Sequence, residues 1–137
     1  MRAFLDTSTL FKKYLEEPGS DKLADLMDDM SHVVISPITV VEIHAAAKRR
    51  LTEKNITRPE YELLLKEFLR DFPHFEVVHY NDNLIRECIR LSGKYSLKSL
   101  DLIQLASVSL AKADLFLTSD SQLAENAEKE FKNVTLI

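Results

Sequence analysis

The sequence predicts an α/β fold with three layers, in which helices cover both faces of a central parallel sheet of four to five strands. Short apolar runs rich in β-branched residues alternate with longer segments that carry apolar residues at helical spacing. This alternation is typical of strand–helix–strand units, whose right-handed crossovers leave the strands parallel. We expect the first strand at the centre of the sheet, with the topological switch point beside it.

The chain begins with a short apolar strand that ends at Asp6. The hydroxyl residues at positions 7–9 could open and cap a helix, which would leave Asp6 free to bind a ligand. Apolar residues at helical spacing extend this helix to Leu15. After a Pro-Gly break, Ser20 is expected to cap a second helix.

The middle of the chain predicts a second strand and a pair of helices. His32-Val33-Val34-Ile35 has strand character, and Ser36-Pro37 is typical of a helix start. The helix is predicted from Ile38 to about Leu51, and a capping box at Thr57-Arg58-Pro59-Glu60 begins an amphipathic partner. We call residues 38–72 the helical hairpin.

Three further apolar runs predict strands, at residues 75–78, 114–118 and 134–137. Gly93 is expected to end the helix between the first two of these strands in a left-handed conformation. Ser99 and Ser119 are expected to cap the next two helices. The helix after Ser99 is apolar nearly all round, which predicts that it is buried.

Composition indicates an ordinary globular protein of one domain, residues 1–137, with 45% hydrophobic and 29% charged residues. The single cysteine, Cys88, is interpreted as a core residue in a reducing compartment. Asp6 interrupts the only candidate secretory segment, and no run approaches the length of a membrane span. We therefore predict a cytoplasmic protein without membrane contact.

The net charge of −4 argues mildly against a surface evolved to hold polyanions, unless acidic residues are gathered at a metal site. Basic residues cluster at Lys12-Lys13, at Lys48-Arg49-Arg50 and at Lys94 with Lys98. Each cluster alone is interpreted as a solvated face.

Four carboxylates are predicted to meet at one end of the sheet. Asp6 and Asp120 follow strands, Asp101 lies in the first turn of a helix, and Glu42 lies among small and apolar helix neighbours. Each Asp alone could be an N-cap or a first-turn acid, which contributes about 1 kcal/mol or less. Capping does not explain Glu42, so we interpret the four together as a site.

Four clustered acids would repel one another, and a divalent cation would remove that conflict. Carboxylate oxygens suit Mg²⁺ or Mn²⁺, and such a site can activate water for attack on a phosphodiester. Zinc is disfavoured because the sequence has one cysteine and its histidines show no ligand spacing.

Four stretches together resemble the PIN domain family, and most closely its small VapC-like toxins. They are Asp6-Thr7-Ser8, Val41-Glu42-Ile43, the run from Leu100 to Ala106, and Leu117-Thr118-Ser119-Asp120 followed by Leu123-Ala124. The resemblance covers essentially the whole chain. It implies a Mg²⁺- or Mn²⁺-dependent endoribonuclease whose metal ligands and catalytic residues are Asp6, Glu42, Asp101 and Asp120.

The resemblance also implies accessory residues and partners. Thr118 and Ser8 would be accessory polar groups near the metal. Where the family sometimes has a further acid after the fourth, this chain has Ser121 and Gln122, which leaves the number of metals open. The implied partners are an RNA substrate, a second copy of the chain in a homodimer, and an antitoxin protein bound on the helical hairpin.

Two related folds are disfavoured by residues they would need. A receiver domain would need an acidic pair at the preceding helix start and a phosphoacceptor Asp on a middle strand, which residues 33–36 and 76–79 do not supply. A haloacid-dehalogenase-type phosphatase would carry an Asp where Ser8 stands. The alternative that stays open is a catalytically silent PIN-like module that binds RNA or regulates another protein.

Overall fold

Five parallel strands form the central sheet of the computed structural model, which describes residues 1–137. They are β1 Arg2–Leu5, β2 His32–Ile35, β3 Glu76–Val77, β4 Leu115–Thr118 and β5 Val134–Leu136. Their order in the sheet is β3-β2-β1-β4-β5. The chain therefore builds outward from β1 in one direction and then in the other, so the predicted switch point beside β1 is confirmed.

Seven helices cover the two faces of this sheet. They are α1 Thr7–Phe11, α2 Ser20–Met27, α3 Thr39–Thr52, α4 Arg58–Asp71, α5 Asp82–Ser92, α6 Ser99–Ala111 and α7 Ser121–Ala127. A 3-10 turn, Phe72–His74, ends the helical hairpin formed by α3 and α4. The predicted three-layer α/β/α architecture is confirmed.

Alternation along the strands divides the interior into two cores. Leu5, Ile35 and Leu117 point to the layer of α1 to α4, where they pack with residues such as Phe68. Their neighbours Phe4, Val34 and Phe116 point to the other layer, formed by α5, α6 and α7. Because adjacent strand residues face opposite sides, each of the three central strands β1, β2 and β4 contributes buried residues to both cores.

Several predicted helix ends lie one residue away from the observed ones. The capping box of Thr57 and Glu60 is present as predicted. By contrast, the N-cap of α2 is Gly19, which has φ of +97° in the left-handed region, and Ser20 is the first helical residue. Likewise Lys98 rather than Ser99 precedes α6, and it makes no side-chain cap.

Two further predictions about helix ends are wrong. Gly93 has φ of −77° and is right-handed, because the chain continues with another hydrogen-bonded turn in which Tyr95 N–H donates to Leu91 C=O. The first helix is regular only to Phe11, and beyond it the chain continues in turns that reach Leu15.

The apolar residues of α4 and α5 are only partly buried. Leu69, Ile85 and Ile89 have exposed fractions of 55%, 41% and 66%. Leu64, Phe68, Leu84 and Leu91 on the same helices are buried. None of the helices combines the length and the apolar character that crossing a membrane would require.

Candidate active site

The four carboxylates singled out in the sequence line one cleft of about 100 Å³. Leu5 pairs with Leu117 in neighbouring parallel strands, so the residues that follow β1 and β4 emerge at the same edge of the sheet. The first turns of α3 and α6 bring Glu42 and Asp101 to this edge. The lining residues are Asp6, Thr7, Ser8, Glu42, Asp101, Gln104, Asp120 and Leu123, and we call this space the acid cleft.

Asp6 forms the floor of the acid cleft and is only 3% exposed. Its Oδ1 accepts hydrogen bonds from Thr9 N and Ser8 Oγ, both at 2.9 Å, and its Oδ2 accepts one from Thr118 Oγ1 at 2.5 Å. Asp6 is therefore itself the N-cap of α1, and the expectation that residues 7 and 8 would cap this helix is wrong. Burial raises the pKa of Asp6, and the hydrogen bonds from Thr118, Thr9 and Ser8 offset only part of that rise.

Thr118 connects Asp6 with Asp120. This fully buried hydroxyl donates to Asp6 and accepts from Asp120 N–H at 3.0 Å. Asp120 in turn caps α7, because its Oδ1 accepts from the backbone N–H groups of Gln122 and Leu123. The cap predicted at Ser119 is therefore at Asp120, whose second oxygen makes no hydrogen bond.

Glu42 is held by two residues whose role the sequence did not reveal. Its Oε1 accepts from Thr7 Oγ1 at 2.6 Å and from Gln104 Nε2 at 2.9 Å. Gln104 is 4% exposed, and it follows Asp101 by one turn of α6, so both side chains point to the same edge. A polar residue one turn after an acid, on a mostly apolar helix, indicates that Gln104 points to the same edge as Asp101 but does not identify its partner.

Asp101 accepts no hydrogen bond, which distinguishes it from the other three acids. Partial burial raises the pKa of Asp101, and the charges of Asp120 and Glu42 raise it further, while Lys98 lowers it without cancelling the effect. The carboxylates are thus close enough to repel, and no cation lies among the residues that line the acid cleft.

The donor atoms of the acid cleft fit a hard divalent cation. Both oxygens of Asp101, Oε2 of Glu42 and Oδ2 of Asp120 accept no hydrogen bond from the protein, and the buried Oε1 of Gln104 also lacks a donor. As the side chains stand, no three acids converge tightly enough to coordinate one ion. For Glu42, Asp101 and Asp120 to hold one Mg²⁺ or Mn²⁺ together, their side chains would have to rotate toward the ion.

Comparison with known proteins identifies the family of this chain. The family description of the PIN domain matches residues 3–129. The chain belongs to the PIN domain family. A relative from Mycobacterium tuberculosis named ribonuclease VapC35 is 31% identical over 131 residues, which cover 91% of this chain and 89% of the relative.

Solved structures share the PIN fold at low identity. FitAcB from Neisseria gonorrhoeae superposes with a TM-score of 0.72 at 15% identity, over 92% of this chain and 93% of its own. VapBC2 from Rickettsia felis, solved with a fragment of its promoter DNA, superposes with a TM-score of 0.65 at 16% identity, over 100% of this chain and 98% of its own. These likenesses establish the fold of the present PIN domain.

Proposed function

We propose that this PIN domain is a Mg²⁺- or Mn²⁺-dependent endoribonuclease and the toxin of a VapBC-type toxin–antitoxin pair. The observation that carries the proposal is the acid cleft, in which four carboxylates meet without an internal cation. Membership of the family and the relative named ribonuclease VapC35 support the choice of RNA as substrate. We also propose that residues 1–137 form one domain.

Some side chains of the acid cleft would bind the cation, and others would hold the cation-binding side chains in position. Glu42, Asp101 and Asp120 would supply free oxygens to the ion, and Asp6 would add its negative charge from below. When bound, a divalent cation lowers the pKa of a coordinated water and neutralises charge on a phosphoryl oxygen. Thr118 would keep Asp6 and Asp120 in position, and Ser8 would orient Asp6 through its hydrogen bond.

A specific observation favours the second candidate, a catalytically silent module that binds RNA or regulates a partner. The side chains as they stand do not converge on one ion. In that case the acids would serve as helix caps and first-turn charges, as Asp6 and Asp120 already do.

A cleavage assay on a circular RNA separates the two candidates, because only an endonuclease can open a circle. With Mn²⁺ the wild-type protein is expected to linearise the RNA, and EDTA should stop the reaction. Asp101→Asn should lower the rate at least about a hundredfold, because several kcal/mol of metal-dependent stabilisation are lost. Glu130→Gln, which changes an acid outside the cleft in the same way, should retain the wild-type rate.

Two outcomes of this assay contradict the proposal. Equal cleavage by wild type and Asp101→Asn would place the activity outside the acid cleft. Binding of the RNA without cleavage, at any Mn²⁺ concentration, would favour the silent module.

The proposed partners follow from the same assignment. The helical hairpin exposes Val41, Leu63 and Leu69, at 70%, 55% and 55%, and offers an apolar surface for the antitoxin. A homodimer and a cytoplasmic location stay predictions. Light scattering of the purified chain, alone and mixed with a candidate antitoxin, measures both the dimer and the complex.

A further inference from the structure

A second cleft opens directly beside the acid cleft, and three cations line it. It has a volume of about 420 Å³ and shares Thr7, Ser8 and Glu42 with the acid cleft. Its basic side chains are Lys12, Arg49 and Arg50, and we call it the basic cleft. The sequence had suggested separate solvated faces for Lys12-Lys13 and Lys48-Arg49-Arg50, but the fold brings members of both clusters together.

Helix α3 sets the spacing between the two clefts. Glu42, Ala46 and Arg49 follow one another at intervals of four and three residues, so they lie along one face of α3 and all line the basic cleft. Seven residues of helix correspond to an axial rise of about 10 Å. A ligand that extends from the acid cleft along α3 therefore meets Arg49 next.

Two of the three cations are fixed before any ligand binds. Glu17 pairs with Arg50 through Oε1 and Nη2 at 2.7 Å and with Lys12 through Oε2 and Nζ at 3.3 Å. The Arg50 guanidinium also stacks over Phe11, at 5.2 Å from the ring centroid. Three cations face two carboxylates, Glu17 and Glu42, in the lining of this cleft, so one positive charge is left in surplus.

Arg49 is the cation that is free to bind. It is exposed and forms no ion pair with the protein. Its planar guanidinium can donate two parallel hydrogen bonds to a phosphate, whereas a lysine offers a point charge. The hydroxyls of Ser8 and Ser119 on the cleft wall add neutral donors.

We propose that the basic cleft binds a phosphodiester of the RNA strand next to the one that is cleaved, with Arg49 as its principal contact. This inference rests on the proposed function. A cation-binding acid cleft and a basic cleft that share a wall suit a continuous polyanion, because successive phosphates of one strand can occupy both. An isolated acidic side chain of a protein partner would use only the basic cleft.

The salt dependence of RNA binding tests this assignment. Asp101→Asn serves as the parent, so that binding of a short single-stranded RNA is measured by fluorescence anisotropy without cleavage, at fixed Mn²⁺ and increasing KCl. Each phosphate contact on a single strand contributes about 0.7 to the slope of log K against log salt. Adding Arg49→Gln should lower the slope by about that amount, and Arg49→Lys should restore it.

Arg86→Gln in the same parent is the matched control. Arg86 is an exposed, unpaired arginine on α5, which packs on the opposite face of the sheet, so its removal alters net charge equally but should leave the slope unchanged. An unchanged slope in Arg49→Gln, or an equal loss in Arg86→Gln, would overturn the proposal while leaving the nuclease assignment standing. If the parent binds no RNA and the wild type cleaves none, both fail together.

Discussion

Two groups of acids in this protein lie in opposite electrostatic surroundings. One group lines the acid cleft at the carboxyl ends of β1 and β4. The other consists of Glu87 and Glu130, between α5, α6 and the segment after α7, and we call it the paired cluster. In both groups the acids are buried or half-buried, but only the acids of the paired cluster form ion pairs with Lys or Arg.

Each acid of the paired cluster accepts hydrogen bonds from a cation and from a hydroxyl group. Glu130 accepts from Lys94 Nζ and Tyr95 Oη, both at 2.7 Å, and from Arg90 at 3.1 Å. Glu87 accepts from Arg90 at 2.5 Å and from Ser109 at 3.0 Å. The donors Lys94 and Tyr95 lower the pKa of Glu130 to about 2, and Arg90 lowers that of Glu87.

In the acid cleft the shifts have the opposite sign. Burial raises the pKa of Asp6, and burial together with the charges of Asp120 and Glu42 raises the pKa of Asp101. The acids of the paired cluster therefore form ion pairs within the chain, and those of the acid cleft form none. This contrast supports a role for the acid cleft in binding an external cation.

The largest expected effect is on thermal stability. Saturating Mn²⁺ should stabilise the protein by binding in the acid cleft alone. At a hundred times Kd, binding to the native state contributes about 2.7 kcal/mol. For a chain of this size that corresponds to a rise in Tm of roughly 10 °C. Asp101→Asn should abolish most of the rise, and Glu130→Gln should keep it, as measured by calorimetry.

Two results of the Mn²⁺ experiment would contradict the contrast between the acid cleft and the paired cluster. The first is a Tm that Mn²⁺ leaves unchanged, with no heat on titration. The second is an equal rise in all three proteins, which would place the ion elsewhere.

The residues of the acid cleft could be predicted because each stands at a visible break in the sequence pattern. Asp6 and Asp120 interrupt or follow apolar runs, and parallel strands bring such positions to one edge. Glu42 was recognisable from its small neighbours. By contrast, the contact of Gln104 with Glu42 joins residues 62 positions apart, and no local pattern encodes it.

The difference between local patterns and long-range contacts also explains the wrongly predicted helix ends, and why the sequence did not predict the basic cleft. In Ser119-Asp120-Ser121 three neighbouring side chains are competent caps, and the structure selects Asp120 through its bonds to the next turn. Lys12 and Arg50 are brought together by Glu17 across the fold. Local propensity ranks such choices weakly, and tertiary packing decides them.

Gln104→Leu should have an intermediate effect, on Mn²⁺ affinity and on cleavage. It tests whether the acid cleft needs a fixed orientation of Glu42. Without the amide, Glu42 Oε1 keeps only the hydrogen bond from Thr7, and its carboxylate can rotate out of position. Residues that orient metal ligands typically affect metal affinity or activity by about 10- to 100-fold. We expect such a loss in Mn²⁺ affinity, measured by isothermal titration, together with a matching loss in cleavage.

Gln122→Leu is the control for this substitution. Gln122 lies near the acid cleft, but it is exposed and its side chain bonds to no acid, so Mn²⁺ affinity should stay at the wild-type value. Wild-type affinity in Gln104→Leu would show that Glu42 needs no fixed orientation.

The smallest expected effect is on the free energy of unfolding as a function of pH. Removing a charge from the acid cleft and removing one from the paired cluster should change it in opposite directions. Because the pKa of Glu130 is lowered to about 2 from 4.5, its charge stabilises the fold above about pH 4.5, and that contribution is lost as the pH falls through 2. Glu130→Gln should therefore cost at most about 1 kcal/mol at neutral pH, since its partners are solvated, and progressively less as the pH falls through 2.

Asp101 has a raised pKa, so its charge destabilises the metal-free fold at neutral pH, and this penalty vanishes once the acid is protonated. Asp101→Asn without metal should therefore unfold at a slightly higher urea concentration than wild type at neutral pH, and at the same concentration in acid. Urea unfolding across the pH range measures both variants. If both lost stability at neutral pH, Asp101 would be a structural acid like Glu130, and the contrast between the acid cleft and the paired cluster would not hold.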